Sequence, residues 1–158
     1  MSKDPITPDR DAHVTFREVT EETVIPVIRL SESLSEIQKK MVAPNAVSIA
    51  QAHFNPYAWF RAIYADEVLV GFIMLYDNPE ESEYFLWRFM IAGPYQGKGF
   101  GRKAIQLLAD YVRTRPAANQ LLVSCVEGEG SPEGFYRRLG FERNGKMYDD
   151  EVGMVLLL

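Results

Sequence analysis

A lone cysteine, Cys125, and two histidines, His13 and His53, are all the thiol and imidazole in 158 residues. One thiol excludes an intrachain disulfide and fits a reducing compartment, so a cytoplasmic protein is expected. With no Cys/His/Asp cluster at ligand spacing, no metal site is expected. No apolar run reaches the ~20 residues that span a bilayer, and the polar Ser2–Asp11 does not read as a signal peptide, so no membrane partner is expected. Basic residues are short as well: 17 against 22 acidic, for a net charge of −5. That disfavours nucleic acid and mildly favours cationic partners. Two common phosphate-binding patterns are missing. There is no G-x-x-x-x-G-K-[ST], and G-x-G-x-x-G read from Gly97 ends on Arg102.

What is present is a profile able to build a core, 47% hydrophobic and 25% charged, organised around Tyr84–Arg115. Tyr84–Ala92 is an apolar, aromatic run of strand length, which Gly93-Pro94 ends as a turn. Gly97, Gly99 and Gly101 follow at alternate positions. Ala104, Ile105, Leu108, Tyr111 and Val112 then repeat as one buried helical face until Pro116 stops the helix. A strand, a glycine loop and a helix N-terminus make an anion site. The first turn of a helix has unpaired N–H groups, and glycine lets a ligand approach the backbone closely. Lys98, Arg102 and Lys103 add positive charge, so a phosphate or pyrophosphate is the expected guest.

Around this unit the chain reads as a short strand at His13–Val19, then a helix through Val24–Leu30 capped by Thr20 or Thr23. Ser33-Leu34-Ser35-Glu36 reads as a capping box opening a second helix, and Asn45 as the cap of a third. Trp59–Tyr64 and Val68–Tyr76 form a hairpin around Asp66-Glu67, and Asp77–Ser82 reads as an acidic loop. Leu121–Val126 is a buried strand, parallel to the Tyr84 strand through the intervening helix. Ser131-Pro132-Glu133 opens a short helix that Gly140 ends. Phe141–Arg143, a turn at Asn144-Gly145, and Val152–Leu158 read as a closing antiparallel pair. The expected fold is α/β: a mixed, mostly antiparallel twisted sheet with a central parallel strand pair, flanked by helices. Residues 1–12 read as a loose tail and 13–158 as one domain.

The loop itself, Gln96 to Gly101, is Q-x-x-G-x-G directly after a strand, and Gly134–Phe141 is G-F-Y-R-R-L-G-F. Together they resemble the acetyl-coenzyme A motif and the C-terminal signature of the GNAT superfamily of N-acetyltransferases, whose fold order the chain matches from Val14 onward. Gln38–Ala52 and Y-F-L-W-R-F-M-I also look like bacterial diamine or spermine/spermidine N-acetyltransferases. The resemblance implies acetyl-CoA as cofactor and a small-molecule amine as substrate. It implies backbone contacts from Phe89, Met90 and Ile91 to the pantetheine arm. Gln96, Gly97, Lys98, Gly99, Phe100, Gly101 and Arg102 would surround the pyrophosphate, with Ser131 nearby. Tyr136 takes the position of the family's acid beside the thioester sulfur.

Acetyl transfer to an amine poses a definite problem. A lysine-type amine has a pKa of about 10.4, so on the order of one in 10³ is neutral at pH 7. The protein must hold the cation, remove a proton and aim the nitrogen, while an acid assists the departing thiolate. Related polyamine enzymes often carry a carboxylate on the strand before the loop; here Trp87 stands there, with Arg88 next. Tryptophan takes no proton but can stack on an ammonium. The base is therefore expected elsewhere: Glu83, Glu32, Glu36 or ordered water, with Glu32, Glu36, Glu83 and Trp87 as the substrate-binding set. A homodimer is compatible with the apolar Val152–Leu158. Competing readings are acetylation of an aminoglycoside, an amino acid or a protein N-terminus, or a non-catalytic CoA-binding module.

Overall fold

A computed structural model describes residues 6–158 of the chain. Among them, seven strands form one sheet: β1 (Val14–Arg17), β2 (Ala58–Ala65), β3 (Val68–Asn78), β4 (Glu83–Ile91), β5 (Gln120–Cys125), β6 (Glu142–Tyr148) and β7 (Glu151–Leu157). The spatial order is β1-β2-β3-β4-β5-β7-β6. Every pairing is antiparallel except β4 with β5, the pair joined by a helical crossover. The expected mixed sheet with a central parallel pair is present.

Helices cover both faces. On one lie α4 (Phe100–Arg113) and α5 (Glu133–Arg138); on the other lie α1 (Val24–Arg29), α2 (Glu36–Lys39) and α3 (Asn45–His53). The core is accordingly double. One cluster packs α4 through Phe100, Ile105, Leu108 and Val112 against Ile73, Leu86 and Val123. A smaller one packs Val27 and Leu34 against Phe72, Met74 and Met90. α4 forms because its apolar residues fall on one stripe. Its C-terminal end is held by a buried carboxylate: Tyr111 Oη donates to Asp77 Oδ2 at 2.7 Å, and Arg115 Nε donates to Asp77 Oδ1 at 2.9 Å. Asp77 is thus not in a surface loop, as expected, but in β3, where two donors satisfy it.

Three more local expectations shift. The capping box is two residues later, at Ser35 and Gln38. Ser33 Oγ instead accepts from the Gly93 N–H at 3.0 Å, tying the start of α2 to the end of β4. Asn45 is buried inside α3, not capping it, and its Nδ2 donates to Val27 O at 2.9 Å. The last hairpin turns at Asp149-Asp150, not at Asn144-Gly145. Asn144-Gly145 falls in an irregularity of the β6 register, with Gly145 at φ +79°. A left-handed glycine fits a β-bulge as well as a turn.

β7 lies between β5 and β6, and Val152 and Met154 fill the main core. Its apolar character is therefore explained within the chain, without a second copy. The tail is not loose where it is described: Pro8 and Ala12 are buried. Lys98 Nζ donates to Pro8 O at 3.0 Å, and Lys103 Nζ to Arg10 O at 2.7 Å and Ala12 O at 3.1 Å. Residues 1–5 lie outside the described residues.

Candidate active site

The site is made by a defect in the sheet. β4 pairs with β5 only at Phe85–Leu122 and Leu86–Val123. Just beyond, the register of β4 on β3 slips: Leu75 pairs with Leu86 and Met74 with Arg88, so Trp87 has no partner. An inserted residue bends a strand and ends regular pairing. The strands part, and a groove of about 1510 Å³ opens between them, lined by Phe89, Met90 and Ile91 on one side and Ser124, Cys125 and Val126 on the other. Beyond Leu86 the backbone of this β4 edge meets no β5 ladder: Trp87 O and Ile91 O accept from the Arg88 and Gln96 side chains, and the rest of the edge can bind an extended ligand.

The glycine loop closes one end of the groove. Gly97 (φ +76°) and Gly99 (φ +84°) have left-handed conformations, and a Cβ on either would project into open space. Gly99 is the N-cap of α4, with no side chain capping it. The first N–H groups of α4, from Phe100, Gly101 and Arg102, are therefore left for a ligand. Gly101 has a different reason to be glycine: a Cβ there would sit 3.3 Å from Phe135 Cζ and 3.4 Å from Phe89 Cζ. Those two rings stack at 6.0 Å beneath the loop. An uncapped helix start, two left-handed glycines with nothing above them and an open strand edge fit a diphosphate with an extended arm. Of the expected pyrophosphate set, Gln96, Gly97, Gly99, Phe100, Gly101 and Arg102 line the groove.

Gln96 reaches it with its side chain already engaged. Its Nε2 donates to Ile91 O at 2.8 Å, and its Oε1 accepts from Gln38 Nε2 at 3.0 Å. Lys98 does not line the groove, because its ammonium holds the N-terminal segment. Ser131 does not line it either; its Oγ accepts from the Glu133 N–H at 3.2 Å at the start of α5.

Tyr136 does reach the groove. It is 5% exposed, packed edge-on against Phe135 and Phe141. Burial, with the nearby Cys125 and Glu151 adding to it, pushes its ionisation above the ordinary tyrosine value. The phenol therefore holds its proton at neutral pH, the state an acid needs. α5 is fixed in turn by Glu133, which accepts from Arg137 Nε at 2.8 Å and from Arg143 Nε at 2.9 Å. Arg143 and Arg137 hold the Glu133 carboxyl down to about 2.

Strand alternation sorts the lining by face. Leu86, Phe89, Val123, Cys125 and Tyr136 belong to the α4–α5 side. Trp87 belongs to the α1–α3 side, and so does Arg88, whose guanidinium donates to Gln51 Oε1 on α3 at 3.1 Å. Glu151 precedes the inward Val152 and so faces the same way; its Oε1 accepts from Ser124 Oγ at 3.3 Å. The parted strands thus connect the α4–α5 side, the expected coenzyme side, which bears a phenol, with the α1–α3 side, the expected acceptor side, which bears Trp87, Arg88 and the acidic turn Asp149–Glu151.

Of the expected acceptor set, only Trp87 lines the groove. Glu32 sits in an exposed single turn of 3-10 helix. Glu36 is in the first turn of α2 and pairs with Lys39 at 3.4 Å. Glu83 begins β4 opposite Asn78, at the end remote from the bulge. The acids that do line the groove are Asp149, Asp150 and Glu151, brought there because the hairpin turns five residues later than Asn144-Gly145. The D-D-E run before Val152 was the available signal.

Residues 28–141 match the acetyltransferase (GNAT) family. The chain belongs to that family. It is an acetyl-CoA-dependent N-acetyltransferase, and its resemblance to polyamine enzymes extends through the sequence. A spermine/spermidine N(1)-acetyltransferase of Bacillus subtilis is 27% identical over 149 residues, covering 90% of this chain and 97% of that protein. The spermidine N-acetyltransferase of Vibrio cholerae, solved with CoA and spermine, superposes with a TM-score of 0.66 at 18% identity, over 91% of this chain and 95% of that one. An acetyltransferase from Salmonella typhimurium that modifies an N-terminal serine of a ribosomal protein reaches 0.70 at 16% identity, over 94% and 97%. The fold alone therefore does not choose the amine. In the described residues no helix is long and apolar enough to cross a membrane, and no cluster of His, Cys, Asp and Glu suits a metal ion.

Proposed function

We propose that this acetyltransferase acts on a small diamine or polyamine of the spermidine type. The supporting observation is the acidic turn Asp149–Glu151 lining the acceptor side of the groove with Trp87, whose ring has the Arg88 guanidinium 5.5 Å from its centroid. Carboxylates attract a polycation and the indole face receives an ammonium. The Bacillus relative points the same way.

When bound, acetyl-CoA would supply an activated thioester. The main-chain groups of Phe89, Met90 and Ile91 would hold its arm. The N–H groups of Phe100, Gly101 and Arg102 would hold its diphosphate. The acceptor enters from the opposite face, so the amine and the Tyr136 phenol approach the gap from different sides of the sheet. Tyr136 carries the proton that the departing sulfur requires. No side chain in this scheme becomes acylated.

A thiol-release assay across spermidine, spermine, putrescine, kanamycin and lysine tests the reading. The expected order puts the polyamines first, and a preference for kanamycin would remove the polyamine assignment. One observation favours a second reading: Arg88 is a partly buried cation on the acceptor side, suited to a substrate with a carboxylate near its amine. Lysine as the fastest acceptor would establish that alternative.

A further inference from the structure

No carboxylate stands on β4 where the acceptor proton must go, yet one reaches the gap from β7. The register sets its place. The last parallel pair is Leu86–Val123; Arg88 lies two residues past it on β4, and Cys125 two residues past it on β5. Cys125 pairs with Val152, so Glu151 comes level with the mouth of the gap. Its side chain leans over Ser124, whose hydroxyl orients Oε1. Through the gap, on the other face, is the phenol of Tyr136, 5% exposed and unpartnered among the described residues. An acid on one side and a carboxylate on the other bracket the place where an acetyl group must meet an amine.

We propose that Glu151 receives the acceptor ammonium and takes its first proton, leaving the neutral amine that attacks. The protons balance. The ammonium gives one to Glu151, which passes it to solvent. The nitrogen bonds to the acetyl carbon and the carbon–sulfur bond breaks. Tyr136 gives its proton to the sulfur and is restored by the second proton that the nitrogen releases. The products are the amide, the free thiol and one proton. The charged and titratable groups that share the groove with Glu151 include Arg88 from β4, Lys39 and Lys40 from the end of α2, Tyr148, Asp149 and Asp150 from its own hairpin, and Cys125 and Tyr136 through the gap. Arg88 and the two aspartates flank the place where the acceptor ammonium would meet the carboxylate. The role rests on the transfer of acetyl to an amine and not on which amine is used.

The test is Glu151→Gln, assayed with the fastest acceptor of the wild-type protein, whatever it proves to be. At pH 7.5, kcat/KM for the amine should fall about 100-fold, the low end for a lost general base. Calorimetric affinity for CoA should stay within about three-fold, which shows that the fold and the coenzyme side are intact. The pH profile separates chemistry from packing. Wild-type kcat/KM should be nearly flat from pH 7 to 9, whereas the variant should climb about ten-fold per pH unit as neutral amine accumulates. Glu151→Asp should regain a flat profile at a reduced rate. Ser124→Ala, which keeps the carboxylate but not its orienting hydroxyl, should lose only several-fold with the profile unchanged. A Glu151→Gln variant with wild-type kcat/KM, or one whose loss keeps a flat profile or matches an equal loss of CoA affinity, overturns the assignment. A non-polyamine as fastest acceptor would sink the substrate reading while leaving this one standing.

Discussion

The two sides of the gap between β4 and β5 are built by different means. The coenzyme side is mostly backbone: two left-handed glycines, an uncapped helix start and an unpaired strand edge, with one phenol added. The acceptor side is mostly side chains, drawn from β4, the end of α2 and the turn after it, β5 and the β6–β7 turn. A cofactor common to a family can be held by main chain, which is indifferent to most substitutions. A variable substrate is met by side chains, which change freely. Breaking each side should therefore give different signatures.

The largest effect is expected on the backbone side. Gly99→Val adds a branched side chain at φ +84°, a conformation costing on the order of 1–3 kcal/mol for a non-glycine residue, and puts it where the diphosphate would lie. CoA affinity should fall on the order of 10²-fold or more, read by calorimetry. Gly145→Val is the control: it has nearly the same backbone angle, φ +79°, and also opens onto empty space, but lies in β6 outside the groove lining. It should lose stability and keep CoA affinity. Equal affinity in the two variants would mean that the loop does not hold the coenzyme.

Next comes the one side chain the coenzyme side depends on. Tyr136→Phe keeps the packing against Phe135 and Phe141 and removes the proton. Turnover should drop ten-fold or more at saturating substrates, with the KM for acetyl-CoA nearly unchanged. The pH dependence adds a constraint. Burial raises the folded pKa above the unfolded value of 10.0. The phenol therefore stays protonated below pH 10, and no alkaline loss of rate from this group should be seen there. The same shift stabilises the fold below pH 10, and that share is lost as pH rises towards the folded pKa. Unchanged turnover in Tyr136→Phe would take this residue out of the mechanism.

The same contrast explains what could be read from the chain. Gln96–Gly101 and Gly134–Phe141 are contiguous, and their physics is local: glycines where a ligand meets backbone, a tyrosine one turn into a short helix. The β2–β3 hairpin and the parallel β4–β5 pair followed from apolar runs and a crossover helix. The acceptor side depends on register, which no local pattern states. Trp87 was legible as a groove residue, but the bulge that turns both Trp87 and Arg88 to one face was not. Glu151 became a groove residue only because the turn lies at Asp149-Asp150, and Asn144-Gly145 offered a stronger turn signal in the wrong place. Glu32, Glu36 and Glu83 look suitable by charge, but they lie in the 3-10 turn before α2, at the start of α2 and at the start of β4, outside the groove lining. Lys98 and Lys103 looked like phosphate ligands and instead hold the N-terminal segment.

On the side-chain face a single loss should be modest. Trp87→Ala removes an indole worth about 0.5–1 kcal/mol to an ammonium at a half-exposed site. The KM for the amine should rise about two- to five-fold, with CoA affinity unchanged, in steady-state assays at saturating acetyl-CoA. A change in CoA affinity instead would show that the bulge, not the indole face, is what Trp87 maintains.

The smallest effect concerns how α5 is held, and it shows where the two sides share a support. Glu133 bridges α5 to β6: Arg143 and Arg137 hold its carboxyl at about 2, below its ordinary value of 4.5. A depressed carboxylate stabilises the folded state above pH 4.5, and that share is lost as pH falls from 4.5 towards 2. The partners are solvent-exposed arginines, so the contribution is screened and small. Glu133→Gln should lower the melting temperature by a few degrees at pH 7 and flatten its decline between pH 4.5 and 2. Because α5 carries Tyr136 and Arg143 lies in the hairpin that carries Glu151, the variant should reduce turnover slightly without altering CoA affinity. A melting curve that falls as steeply in acid as the wild type would show that Glu133 is not the group whose protonation loosens α5.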